Sequence, residues 1–208
     1  MSNKSSNWDE RYANPEYYYG IEPNSFLVSQ RELFFKGANV LCLAEGEGRN
    51  AVFLAKLGCK VTAVDGSQVG LEKLAKLAKQ NNVEVTSICS DLSIFLIEEN
   101  SWDFIVSILC HLPSELRKIV HDRSIRGLRK NGFFILEAYT PAQIPLATGG
   151  PKDPDMMPTL SMLKPELAGL KFILEKEINR NISEGIGHEG ESAVVQVVAQ
   201  KISLDSSK

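Results

Sequence analysis

The stretch Val40-Leu41-Cys42-Leu43-Ala44-Glu45-Gly46-Glu47-Gly48-Arg49-Asn50 passes from an unbroken apolar run directly into a turn with two glycines. An apolar segment of that length predicts a buried strand over Ala38–Leu43. Asn50–Leu57 then predicts a helix, stopped at Gly58, where a residue free to turn left-handed is favoured. Strand, glycine turn and helix in direct succession is how an alternating α/β chain begins.

The alternation continues downstream. Lys60–Val64 reads as a second strand ending at Asp65-Gly66, and Ser67 is placed to cap a helix that runs to about Gln80. Its Leu71, Leu74, Ala75 and Ala78 share one face. A third strand, Val83–Cys89, ends at Ser90-Asp91, and a fourth, Phe104–Leu109, is apolar throughout, as a strand covered on both faces requires. A helix from about Ser114 to Leu128, a turn at Asn131-Gly132 and a fifth strand, Phe133–Tyr139, follow. Thr140–Met162 is rich in Pro and Gly, a composition expected of a functional loop. Lys171–Asn179 and Ser192–Lys201, joined by the glycine-rich Glu184–Gly190, read as a hairpin. The expected fold is α/β: a doubly wound, mainly parallel, Rossmann-like sheet with a C-terminal antiparallel hairpin. Residues 1–36 are expected to form an N-terminal tail and lid, and 37–208 a single domain.

Composition narrows the function classes. The 208 residues, 43% hydrophobic and 24% charged, suit one soluble domain with its own core. No apolar run approaches the roughly 20 residues of a membrane-spanning helix, and the polar Met1–Asn7 is expected to be a loose tail without a signal-peptide core. A net charge of -3 argues against a general nucleic-acid binder. The basic cluster Arg123, Arg126, Arg129 and Lys130 is expected to be a solvated helix end. Cys42, Cys59, Cys89 and Cys110 show no metal-ligand spacing and read as free thiols of a reducing cytoplasm, with no metal site.

Ligands of open parallel sheets bind beyond the carboxyl ends of the strands. In order, three strand ends here supply the Gly46/Gly48 turn, Asp65 as an acceptor for ribose hydroxyls, and Ser90-Asp91 as an acceptor for an adenine amino group. That succession predicts a nucleotide-bearing cofactor. Gly46-x-Gly48-x-x-Ala51 with Asp65 also satisfies a loose dinucleotide pattern, so an NAD-dependent oxidoreductase is the alternative reading. Glu45 and Glu47 sit poorly beside a pyrophosphate and suit a cofactor with an ammonium and a sulfonium. The chain length and the closing hairpin also point away from a dehydrogenase plan. A cofactor-binding protein without turnover is a third reading.

The glycine turn, with Val40–Leu43 before it and Arg49-Asn50 after it, resembles the first motif of class I S-adenosylmethionine-dependent methyltransferases, closest to the small branch of tellurite-resistance methyltransferases. Val61–Asp65 is similar to their ribose-binding motif and Ser90-Asp91-Leu92 to their adenine-binding one. Trp102–Val106 matches the fourth strand, Leu128–Gly132 the turn before the fifth, and the similarity extends from Trp8–Tyr12 to the final strand. The resemblance implies the seven-stranded methyltransferase fold and S-adenosylmethionine as cofactor. The residues expected around it are Tyr19, Ala44, Glu45, Gly46, Gly48, Asn50, Asp65, Gly66, Ser67, Ser90, Asp91, Leu92, Leu109 and Cys110. Two positions depart from the motif: Cys42 replaces the usual acidic residue and Ala44 the first glycine, with Glu45 placed to compensate.

Methyl transfer is an in-line displacement that needs alignment and exclusion of water more than a base. On the acceptor side, His111 is the candidate base or orienting group, its alternative being a plain helix-entry residue before Pro113. Tyr17-Tyr18-Tyr19 is either a cation–π surface for the sulfonium or an anchor for the lid. Tyr139 leads into the Pro/Gly loop, a candidate substrate lid, and His188 is expected at the surface. The expected partner is a small-molecule methyl acceptor, with no nucleic acid or membrane, for a cytoplasmic monomer or homodimer.

Overall fold

Seven strands and six α-helices form over residues 4–202, the part of the chain that the computed structural model describes. The order is α1 (Lys4–Tyr12), α2 (Ser25–Ser29), β1 (Asn39–Leu43), α3 (Arg49–Lys56), β2 (Lys60–Asp65), α4 (Gln68–Gln80), β3 (Val85–Cys89) and β4 (Trp102–Ile108). It continues with α5 (Ser114–Gly127), β5 (Leu128–Tyr139), α6 (Leu160–Glu166), β6 (Lys171–Ser183) and β7 (Glu189–Gln200). The strands make one sheet in the order β3-β2-β1-β4-β5-β7-β6. Only β7 runs against its neighbours, inserted between β5 and β6. This is the seven-stranded methyltransferase arrangement with the expected antiparallel end.

The period-two geometry of the central strands divides the apolar residues between two cores. Leu41, Leu43, Ile105, Phe134 and Leu136 face one side with Leu163 and Leu167. Val40, Cys42, Phe104, Val106 and Ile135 face the other with Leu54, Leu71 and Leu74. Both faces are covered, which is why β1 and β4 read as continuous apolar runs rather than alternating ones. Among the described residues, no helix is long and apolar enough to cross a membrane.

Several local expectations change. Met1–Asn3 lie outside the described residues, but from Lys4 onward the segment read as a loose tail is helical. Asn131-Gly132 is not a turn before β5. Leu128 already pairs with Trp102, and the pairing resumes only at Phe133 with Phe104, so residues 129–132 bulge out with Asn131 left-handed. Thr140–Met162 is structured, with 3-10 turns at Pro141–Leu146 and Pro154–Met156 and the start of α6 capped by Thr159. Arg123 is only partly exposed: its Nη1 donates to the carbonyls of Leu92, Ser93 and Phe95 at 3.0–3.1 Å, holding the chain after β3. Arg126 pairs with Asp122 and Arg129 with Asp103.

A buried carboxylate ties the sheet end to the N-terminal segment. Glu137 of β5 is fully buried. It takes a two-pronged ion pair from Arg180 of β6, at 2.5 and 3.0 Å, and hydrogen bonds from Asn24 at 2.7 Å and from Gln196 of β7. The Asn24 side chain also donates to Glu184 at 3.0 Å, and its backbone N–H donates to Asn50 Oδ1 at 2.9 Å. Glu184 in turn pairs with Arg49 at 2.6 Å. Removing one partner of a buried ion pair strands the other charge. Glu137→Ala is therefore expected to lower the unfolding free energy by about 3–5 kcal/mol, measured by urea denaturation.

Candidate functional site

The chain ends of β1, β2, β3 and β4 meet on one edge of the sheet, and the expected cofactor residues collect there. The backbone after β1 turns through three positive-φ residues, Ala44, Gly46 and Gly48. Asp65, at the end of β2, accepts the N–H of Gly46 and of Ser67, each at 2.8 Å. An ionised carboxylate offers about four lone-pair sites, more than the backbone groups of Gly46, Gly66 and Ser67 take up. Burial raises the Asp65 pKa, and hydrogen bonds from the Ser67, Gly46 and Gly66 backbone work against that rise. Beside it, Gly66 has open space where a side chain would project. Ser90 donates its N–H to the Asp65 carbonyl at 2.9 Å, and Asp91 Oδ1 accepts from Ser93 N–H at 2.8 Å. Asp91 stands exposed on the rim with Leu92 buried beneath it.

The two acids of the glycine turn have inward partners. Glu45 accepts the N–H of Ala51 at 2.7 Å and so caps α3, whose N-terminal residue Gly48 has no side chain to do it. It also lies against the Cys42 thiol, so an acid is present beside position 42 but contributed from 45. Burial pushes the Glu45 carboxyl up to about 7 despite these hydrogen bonds. Glu47 is paired with the buried Lys73 of α4 at 2.5 Å and accepts the Tyr19 N–H at 3.3 Å. Gly48 serves packing: a Cβ there would stand 2.4 Å from Leu74 Cγ. Asn50 is occupied by Asn24, as described above.

The N-terminal segment covers this edge. Tyr12 is buried, its hydroxyl 2.7 Å from where a Gly46 Cβ would stand, so the glycine leaves a cradle that the phenol fills. Asp9 accepts the Ser67 hydroxyl at 2.5 Å and the Val69 N–H at 3.4 Å, an anion at the positive end of α4. Lys73 holds the segment from below, its ammonium donating to the carbonyls of Tyr12, Asn14 and Glu16 at 3.3, 2.8 and 2.6 Å. Sequence reasoning missed Asp9, Tyr12 and Lys73; the one available signal was the apolar-polar pattern of Trp8–Tyr12.

An aromatic arc leads from the cradle to the hairpin. Tyr19 meets Tyr12 edge-on at 6.4 Å and His188 at 4.4 Å. His188 meets Tyr139 at 5.4 Å, and Tyr139 stacks on His111 at 5.4 Å. His188 was expected at the surface, yet it is 6% exposed. The hairpin turn is folded inward because Ile186 and Gly187 donate to the Tyr18 carbonyl at 2.9 and 3.3 Å. His111 Nε2 accepts the Tyr139 N–H at 3.1 Å, and its ring also hydrogen-bonds the Leu109 backbone. Burial lowers its pKa to about 4. These contacts join the ends of β4 and β5 through the His111 ring. Leu109 is left-handed, and Cys110 is buried with its thiol pushed up to about 12.

Residues 40–132 match the family model of a methyltransferase domain. An uncharacterized methyltransferase of Bacillus subtilis, YbaJ, is 32% identical over 135 residues, 64% of this chain and 49% of that one. A probable S-adenosylmethionine-dependent methyltransferase of Haemophilus influenzae, TehB, is 35% identical over 95 residues, 42% of this chain and 33% of that one. The chain therefore spans about half or less of the length of these curated relatives. The crystal structure of Haemophilus influenzae TehB superposes with a TM-score of 0.71 at 19% identity, covering 95% of this chain and 67% of that one. A structure solved for the conversion of a disulfide bond into a thioacetal group during echinomycin biosynthesis reaches 0.78 at 16% identity, covering 99% and 94%. At such identities the structural likeness speaks for the fold.

Two variants test the local roles. Gly48→Ala places a methyl group against Leu74 at positive φ and is expected to cost about 1–3 kcal/mol of stability in urea. Glu45 has a folded pKa of about 7, above the unfolded 4.5. Its protonated form is therefore favoured by folding, and that contribution is lost as pH rises through 7. Glu45→Gln should gain in melting temperature relative to the parent between pH 5 and pH 8. A difference that stays flat or reverses contradicts the assignment.

Proposed function

We propose that the chain is a class I S-adenosylmethionine-dependent methyltransferase related to TehB, and that the whole protein transfers a methyl group to a small-molecule acceptor. S-adenosylmethionine, when bound, supplies a methyl carbon already activated by its sulfonium. The observation that carries the reading is Asp65, fixed by the Gly46 and Ser67 amides with lone pairs to spare at the strand end beside the open face of Gly66. In this proposal Asp65 accepts the ribose hydroxyls, with Gly66 and Ser67 alongside. Ser90 and Asp91 take the adenine amino group and Leu92 packs its ring. The backbone of Ala44–Gly48 underlies the methionine portion, Glu45 and Asn50 keep that turn in shape, and Leu109, Cys110 and Tyr19 border the methyl group. Tyr12 and Tyr19 exclude water from above, which suits a displacement that needs alignment rather than a strong base. His111 acts as a positioning residue that fixes the ends of β4 and β5. Buried free thiols at Cys42, Cys59 and Cys110 support a reducing, cytoplasmic location.

Isothermal titration with S-adenosylhomocysteine and with NADH tests the reading on the full chain. Binding of the former is expected, and binding of NADH alone would overturn the proposal. Asp65→Ala should weaken S-adenosylhomocysteine binding by about 1–3 kcal/mol, the scale of a lost hydrogen bond to a charged partner. Unchanged affinity would leave Asp65 with only its backbone role.

A further inference from the structure

The turn between β6 and β7 is packed shut against the segment over the glycine turn. A Cβ at Gly185 would stand 2.5 Å from Gly20 N, Tyr18 O and Tyr19 C, and one at Gly187 would run into the Tyr18 and Tyr19 rings. From the other side, a Cβ at Gly149 would stand 2.7 Å from the Gly187 carbonyl. The turn carries the His188 ring into this fit, its centroid 4.4 Å from that of Tyr19 and 5.4 Å from that of Tyr139. Tyr139 in turn stacks on His111, so the approach over the ends of β4 and β5 is filled by protein. A molecule reaching the methyl position from this side must displace one of these rings.

The rings are held very unequally. Residues 12–19 are fastened by charged groups: Lys73 donates to the carbonyls of Tyr12, Asn14 and Glu16, and Glu47 accepts the Tyr19 N–H. The Tyr17 hydroxyl donates to the Lys73 carbonyl at 3.1 Å. Arg11 lies over the rings of Trp8 and Tyr18, at 4.6 and 5.2 Å, and donates to the Tyr19 hydroxyl at 3.0 Å. Tyr139 is fixed as well. Its N–H donates to His111, its hydroxyl hydrogen-bonds the Ser192 side chain, and its ring fills the space that a Cβ at Gly150 would need.

The turn has no such hold. The Glu184 N–H donates to the His188 carbonyl at 2.8 Å, which closes residues 185–188 into one small loop. Among the described residues, the hydrogen bonds tying that loop to another segment are those of Ile186 and Gly187, and both go to the single Tyr18 carbonyl. At its base Glu184 stays anchored by Arg49 and Asn24, and Gly185 and Gly190 both stand at positive φ, where a hinge is easily made. The shut position also leaves His188 Nδ1 buried without a hydrogen-bond partner among the described residues. Buried polar atoms are ordinarily paired, and swinging outward returns this one to water. Few bonds, a glycine at each end and an unmade hydrogen bond mark a segment that opens locally.

We propose that residues 185–188 form a gate on the acceptor's path, with the Tyr18 carbonyl as its catch and the His188 ring as the plug it withdraws. The proposal rests on the methyltransferase reading above and adds how a shut site admits its substrate. Opening breaks the two bonds to Tyr18 and lifts the imidazole from between Tyr19 and Tyr139. Tyr12 and Tyr19 keep their places over the glycine turn, so the gate governs the acceptor and leaves the cofactor's seat alone.

Hydrogen exchange of the full chain, read by mass spectrometry, measures the gate without any variant. Amides 186 and 187 are expected to exchange about tenfold or more slower than in an unstructured peptide, yet about a hundredfold or more faster than residues 194–198 of β7. Exchange at the unstructured rate, or no faster than β7, overturns the proposal. Diethyl pyrocarbonate, which acylates neutral imidazole, reads the plug itself. Gly185→Ala, whose methyl group blocks closure, should react at His188 about tenfold or more faster than the parent, with the buried His121 unchanged. A parent-like rate at His188 in the folded variant overturns the gate. Titration with S-adenosylhomocysteine completes the test: Gly185→Ala should bind within about threefold of the parent. A loss of about tenfold or more would make the turn part of the cofactor seat and overturn the gate, with the methyltransferase reading intact. A parent that does not bind S-adenosylhomocysteine overturns the methyltransferase reading itself, and this one with it.

Discussion

A single carboxylate buried without solvent, that of Glu137, sets the relation between the two ends of this chain. A charge in a low-dielectric interior is tolerated only when its lone pairs are answered by donors, preferably charged ones. Here the donors come from β6, β7 and the segment before α2. Asn24 and Glu184 then extend the same network to Arg49 and Asn50 at the start of α3. The glycine turn, the hairpin and the N-terminal segment are held by one set of bonds.

That arrangement explains the division of labour along the glycine turn. Residues that look from the sequence like ligand contacts are spent on structure: Glu45 on the α3 terminus, Glu47 on Lys73, Gly48 on Leu74, Asn50 on Asn24. What remains facing outward is backbone, the Asp65 carboxylate and a set of rings. A methyl donor already activated by its own positive charge needs little more than shape, hydrogen bonds to its sugar and base, and exclusion of water. The aromatic arc from Tyr12 through Tyr19 to His188 and Tyr139 packs ring against ring from the glycine turn to the hairpin.

The alternation of strands and helices was legible because period and apolar content are local properties, and β1, β2, β4 and the hairpin lie where those patterns put them. Asp65 was legible for the same reason, standing at the end of a recognisable strand. His188 was not. In sequence it sits between Gly187 and Glu189 in a turn, a setting that usually means solvent, and its burial depends on hydrogen bonds to the Tyr18 carbonyl that no local pattern announces. Arg123 looked like a solvated cation because its carbonyl partners lie about 30 residues earlier. Glu45 and Glu47 were legible as acids near the site, but which way a side chain turns is decided by unsatisfied amides and lysines elsewhere in the fold. The bulge at residues 129–132 hid behind an Asn-Gly pair that reads equally well as a turn.

The reach of the Asn24 contacts has a consequence for when the molecule is finished. Its two carboxylate partners lie 113 and 160 residues further along the chain. Contacts of such separation carry a large closure entropy and form late relative to local ones. During synthesis from the N-terminus, residues 20–30 emerge long before β5 and longer still before Glu184 exists. The N-terminal segment can therefore dock early on Ser67, Lys73 and Asn50, but Asn24 gains its two carboxylate partners only after β5 and the hairpin have been made.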